Sequence, residues 1–152
     1  MPVRAPLHRD RPRFCPSYDF FGQRIDFLDA RLLKMAQSAF DRLPASFRRL
    51  CEGLVIQVVD FPDDETLDEM GAQTEFDLLG LFRGRGLAHR PASDETGAFP
   101  NMIWLYRRPL LDYWCEGEDT LDAVVAHVLI HEIGHHFGLS DDDMEAIEAR
   151  AE

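Results

Sequence analysis

Residues 121–138, which read LDAVVAHVLIHEIGHHFG, decide the fold of this 152-residue chain. Apolar residues recur in this stretch at the spacing of an α-helix, at Leu121, Val124, Val125 and Val128. The same stripe continues into His131 and His135, so both imidazoles are predicted to face inward. The opposite flank is also apolar, which indicates a helix enclosed on most sides, and Gly138 lets the chain leave the helix.

Residues 131–135 form an HExxH pattern. Residues four apart on a helix lie one above the other, so His131 and His135 can present two imidazoles to one metal ion. Glu132 lies beside them as a general base. The alternative is a chance pattern made by two core histidines and a solvated glutamate, but the apolar helix favours a metal site. The pattern predicts one zinc ion, although Mn, Fe or Co would also suit these ligands.

A catalytic zinc site takes three protein ligands, so a third ligand is needed. With a helix break at Gly138, a ligand three residues later would be Asp141, giving HExxHxxGxxD. Residues 140–145 also have the composition of the capped, acidic first turn of a last helix, which needs no metal. The alternatives for the third ligand are a water or one of four side chains: Asp142, His136, Glu145 and Glu148.

Two further histidines lie near the pattern. His127 continues the series at intervals of four, but it lies about 6 Å along the helix axis from His131 and about 12 Å from His135. One ion cannot easily take all three, so His127 is predicted to pack or to support a ligand. His136 projects about 100° away from His135, which places it at the rim of the site.

Three segments of the chain are shared with a known family. They are residues 78–86, a strand and a glycine-containing loop; residues 102–109, a strand ending in Tyr-Arg-Arg-Pro; and residues 131–143, with HEIGHHFG and an acidic turn. In these segments the chain resembles the minimal zincin-like metallopeptidase family of small bacterial proteins, over residues 25–147. The resemblance implies an α+β fold, a compact zincin-like domain with a small mixed sheet packed against the HExxH helix. It also implies a zinc-dependent peptidase, without the separate methionine turn of metzincins.

A peptidase of this kind would use Glu132 to take a proton from a zinc-activated water and to pass it to the leaving amine. A second donor would stabilise the oxyanion. The candidate substrate or transition-state contacts are Tyr106, Arg107, Tyr113 and His136. The resemblance further implies that a peptide or protein substrate adds as a strand to a sheet edge, which residues 99–106 are predicted to supply.

Two other functions fit the same residues. The chain could keep its metal for structure or recognition and cleave nothing, or it could be a zinc amidase that acts on a small molecule. An intact Glu132 favours catalysis, because a purely structural zinc has no use for a base beside its ligands. The polar residues 83–100 are either a lid over a substrate or an ordinary surface connection.

Composition excludes several classes of partner. With 16 basic and 28 acidic residues the net charge is −12, which argues against nucleic acid and against an anionic membrane surface. Residues 1–20 are predicted to be a flexible, basic, proline-rich leader, and residues 21–152 a single domain. The chain shows no signal peptide and no membrane span, so a cytoplasmic location is expected. Nothing in the pattern indicates an oligomeric state.

The remaining patterns predict the other elements. Helices are expected at residues 25–43, 47–51 and 63–70, and strands at 54–59, 78–82 and 102–106. The strand at 54–59 is rich in β-branched residues and is expected to be central. Residues 112–118 are expected to lead into the motif helix. Three cysteines at wide spacings are predicted to be reduced thiols: Cys15, Cys51 and Cys115.

Overall fold

The computed structural model describes residues 22–84 and 100–151. The predicted leader, Cys15 and most of the predicted lid lie outside the described residues. In chain order the elements are α1 (Gly22–Arg42), α2 (Ala45–Arg48) with a 3-10 turn (Arg49–Cys51), β1 (Val55–Val59), α3 (Asp64–Met70), β2 (Gly80–Arg83), β3 (Met102–Tyr106), α4 (Arg107–Glu116), α5 (Leu121–His136) and α6 (Asp141–Ala151). The α+β fold class is confirmed.

The three strands form a mixed sheet in the order β1-β3-β2. β1 runs parallel to β3 and β2 runs antiparallel to it, so that Ile103 pairs with Ile56 on one side and with Phe82 on the other. Two predictions are therefore wrong: among the described strands β1 lies at an edge rather than at the centre, and β3 has no free edge for a substrate. A β-branched composition indicates a strand but does not distinguish an edge from a centre, because both pack on one buried face.

The two faces of the sheet pack against different helices. Side chains alternate along a strand, so Ile103 and Leu105 point into the main core, where α1 and α5 lie. On the other face, Tyr106 belongs to a smaller cluster with Leu67 and Met70 of α3. The motif helix α5 is enclosed as predicted, with five fully buried apolar side chains: Val125, Val128, Leu129, Ile130 and Ile133.

Both ends of α5 are fixed by local chemistry. The Thr120 hydroxyl caps the helix by accepting a hydrogen bond from the Ala123 amide at 3.2 Å. Beyond the other end, Gly138 has a φ of 75°, a conformation that favours glycine, and the chain reverses there into α6. Within the described residues no helix is both long enough and apolar enough to cross a bilayer.

Helix α4 was not predicted, because residues 112–118 were expected to be a connection. The helix begins directly after β3, so no turn residues separate the two elements. Pro109 lies in its first turn, where a missing N–H breaks no helical hydrogen bond. Earlier in the chain, Cys51 is buried, and burial raises the pKa of its thiol to about 11, which keeps it protonated at neutral pH.

Arg107 fastens the start of α4 to the rest of the domain. Its side chain is fully buried, and its Nε lies 2.9 Å from Oδ1 of Asp29 on α1. Nε and Nη2 also donate to Oδ1 of Asp60, just after β1, at 2.8 and 2.5 Å. A buried guanidinium is stable only with such carboxylates beside it. This internal position argues against Arg107 as a substrate contact, and we remove it from the candidates.

Replacing one of these carboxylates should be costly for folding. We expect Asp60→Ala to lower the free energy of unfolding by at least about 2 kcal/mol, because a buried cation loses a hydrogen-bonded partner. The control is Asp122→Ala, which breaks the half-exposed pair with Arg42 and should cost at most about 1 kcal/mol. Urea denaturation measures both. Equal losses would show that burial of Arg107 does not control the cost.

Candidate metal centre

The centre lies where α6 packs across the second half of α5. A Cβ on Gly134 would lie 2.5 Å from Sδ of Met144 and 2.9 Å from its Cγ. Met144 is completely buried, so its side chain has little room to move aside. The glycine inside HEIGH therefore has a packing role, because it lets α6 approach close to the histidines.

The three aspartates at the start of α6 have different roles. The Ser140 hydroxyl accepts a hydrogen bond from the Asp143 amide at 3.2 Å and donates one to Oδ2 of Asp143 at 2.7 Å. These hydrogen bonds to Ser140 lower the pKa of the Asp143 carboxyl. The predicted capped, acidic first turn is thus confirmed. All three aspartates are exposed; Asp143 serves the cap, and Asp141 is the first residue of the helix.

His131 and His135 lie one turn apart on α5, with ring centroids separated by 5.7 Å. Burial is the main cause that lowers the pKa of both imidazoles, and the carboxylate of Asp141 acts on both in the opposite direction. A lowered pKa favours neutral imidazole, which is the form that binds a metal. Asp141 is therefore the acid of this turn that interacts with both histidines of the pattern.

A second set of ligand atoms lies even closer together. Oε1 of Glu148, on α6, is 2.7 Å from Nδ1 of His127 and 3.6 Å from Nε2 of His131. The rings of the two histidines are 4.0 Å apart. Among the described residues, His127, His131 and Glu148 form the one group of three His, Cys, Asp or Glu side chains whose candidate ligand atoms all lie within 4.8 Å of one another. The predicted set of His131, His135 and Asp141 is more open.

No pattern in the sequence predicts that Glu148 lies beside His127. The signal was the interval of four between His127 and His131, which repeats the spacing of the HExxH histidines. Whether an acid faces His127 and His131 depends on how α6 crosses α5, and no local sequence pattern predicts how two helices cross. His127 was expected to support a ligand, and its hydrogen bond to Glu148 agrees with a supporting role as well as with a ligand role.

Glu132 is 4 % exposed, so the predicted base is buried beside His131. Its charge also reaches Tyr106 at the end of β3. Burial and then the charge of Asp63 raise the pKa of the Tyr106 hydroxyl to about 12, and Glu132 acts in the same direction. At neutral pH the hydroxyl therefore stays protonated and can donate a hydrogen bond.

The other two candidate contacts lie on opposite sides of α5. The ring of His136 packs on Phe82 of β2 with centroids 4.5 Å apart. Its Nε2 is buried and has no hydrogen-bond partner among the described residues, and burial lowers the pKa of the ring. Tyr113 instead lines a cavity of about 600 Å³ together with His127 and Glu148. His136 thus lies on the β2 side of α5, and Tyr113 lies on the side of His127.

Comparison with known proteins identifies a family. The model of the zincin-like metallopeptidases matches residues 51–151, which is about two thirds of the chain. The matched region runs from the 3-10 turn through the sheet to α6 and contains every ligand candidate described above. Comparison with curated proteins gave no match.

The contact between α5 and α6 can be tested at Gly134. Gly134→Ala should destabilise the protein by about 1–3 kcal/mol through overpacking, and it should weaken zinc binding because α6 carries the carboxylates. Met144→Ala alone should cost about 2–5 kcal/mol through the cavity it leaves. If the clash is the cause, the double variant should lose less than the sum of the two in urea denaturation. Simple additivity would contradict the proposed packing role.

Proposed function

The chain belongs to the zincin-like metallopeptidase family, and from this premise we propose that it is a zinc-dependent peptidase. We further propose that His131, His135 and Asp141 hold the ion. The observation that carries this assignment is the electrostatic interaction of Asp141 with both histidines. It supports Asp141 over Asp142, whose charge is not among the causes that shift the pKa of either histidine.

The donor set suits the ion. Two neutral imidazoles and one carboxylate are ligands that catalytic zinc takes, and three protein ligands leave a fourth position for water or substrate. Bound there, zinc would lower the pKa of its water to about 7 and polarise the carbonyl of the scissile bond. The histidines are kept neutral by burial, which is the state that metal binding needs.

The protein side chains then handle the proton and position the substrate. Glu132, next to His131 on a buried turn, takes a proton from the attacking water and passes it to the leaving amine. His136 is our candidate for a donor to the developing oxyanion, since its buried Nε2 has no hydrogen-bond partner among the described residues. The Tyr106 hydroxyl keeps its proton at neutral pH, because burial and the nearby negative charges raise its pKa to about 12.

The substrate strand is proposed to add to β2. Among the described strands, β2 pairs on one side only, with β3, and it packs directly against α5. The Leu79 carbonyl accepts a hydrogen bond from the Tyr106 amide, so odd-numbered residues of β2 face β3. The backbone groups of Gly80 and Phe82 are then directed to the outer edge, where an extended peptide could bind them.

Turnover should depend on Glu132 while metal binding should not. We expect Glu132→Gln to retain one zinc per chain and to lower kcat/KM for peptide cleavage by at least about 100-fold, because general-base catalysis is lost. The matched control is Glu145→Gln, the same change at an exposed residue of α6. Cleavage of a mixed peptide library, followed by mass spectrometry, measures all three proteins. Equal turnover by wild type and Glu132→Gln would reject the mechanism.

Binding of the substrate as a strand should give an alternating pattern. In a cleaved peptide, N-methylation of successive amides should raise KM at every second position, because neighbouring residues of a strand point their N–H groups to opposite sides. Each effective methylation removes one hydrogen bond, worth about 1 kcal/mol or roughly 5-fold. Steady-state kinetics on the methylated series measures the pattern. Sensitivity without alternation would contradict strand addition to β2.

A further inference from the structure

We propose that His127, His131 and Glu148 form a second metal-binding set, which competes with the proposed catalytic set for His131. In this arrangement one ion occupies either of two neighbouring positions on α5. The three candidate ligand atoms already lie within 4.8 Å of one another, and they come from helices that the Gly134–Met144 contact holds together.

We call His127, His131 and Glu148 the upper set, and His131, His135 and Asp141 the lower set. The distances between the ligand atoms of the upper set are close to those of a zinc site. Zinc ligands at 2.0–2.2 Å in a tetrahedral arrangement are roughly 3.3–3.6 Å apart. Oε1 of Glu148 lies 3.6 Å from Nε2 of His131, which is within that range. Its 2.7 Å contact with Nδ1 of His127 is a hydrogen bond, and it would have to widen by less than about 1 Å.

The two sets cannot both be complete. A neutral imidazole has a single unprotonated nitrogen, so His131 can bind one ion at a time. An ion held by the upper set therefore removes His131 from His135 and Asp141. This part of the inference rests on the proposed function, because it takes the lower set to be the catalytic one. The upper position would then store the metal in an inactive form.

The upper set is accessible from solvent. The side chains of His127 and Glu148 are 42 % and 30 % exposed. Both line the cavity of about 600 Å³, which also contains Tyr113 and the ion pair of Arg42 with Asp122. A divalent cation can therefore reach these ligands without any rearrangement of the helices, as a workable metal site requires.

The test removes the lower set and asks whether zinc still binds. The full-length variant His135→Ala/Asp141→Ala should hold one zinc per chain by mass spectrometry of the metal, with its affinity measured by calorimetry. Adding Glu148→Gln should weaken that binding by at least about 100-fold, more than the 10–100-fold that outer partners of a metal site contribute. Adding Glu145→Gln instead removes the same charge one turn away and should leave the affinity unchanged.

The outcomes separate this inference from the proposed function. No zinc in the variant that lacks His135 and Asp141, or two zinc ions in the wild type, would overturn it. If the double variant does not fold, His135→Gln alone should give the same dependence on Glu148, and independence from Glu148 would overturn the inference. The peptidase is tested separately by peptide cleavage in Glu132→Gln, because that change leaves both ligand sets intact.

Discussion

The contact between Gly134 and Met144 is the constraint on which the metal centre depends. A helix–helix approach this close is available only where one partner has no Cβ, and the pattern places that glycine between the two histidines of HExxH. The approach sets the height of α6 along α5, and so it decides which carboxylates face which imidazoles. Asp141 then lies on the side of His131 and His135, and Glu148 lies on the side of His127 and His131. A single packing contact thus determines both ligand sets.

The charges of the centre are arranged for a cation. Three carboxylates begin α6, where the positive end of the helix dipole favours them, and Glu148 adds a fourth two turns later. Burial lowers the pKa of His131 and His135 and so favours their neutral form, which leaves an excess of negative charge on the side chains. In a chain of net charge −12, a bound divalent ion relieves this excess more effectively than protonated histidines, whose charge burial opposes.

Features encoded within a few residues were predicted from the sequence, and features that depend on distant pairings were not. The apolar stripe of α5 and the acidic turn at Asp141 follow from local spacing, and so do the positions of the three strands. The order of the strands depends on which backbone edges meet, and β1 carries no residue that reports this. Helix α4 was not predicted, because no turn residues separate it from β3. The pairing of Glu148 with His127 was not predicted, because it depends on how two helices cross.

Two buried charged groups in this fold illustrate how a site differs from a structural anchor. Arg107 is fully buried, but Asp29 and Asp60 on neighbouring elements compensate its charge, and its position links three parts of the domain. Glu132 is also buried, one residue after His131 in the part of α5 that carries the HExxH histidines. A carboxylate is more costly to bury beside two half-buried imidazoles than an apolar residue of similar size would be. Under the proposed function, general-base catalysis at the metal centre is what that cost supports.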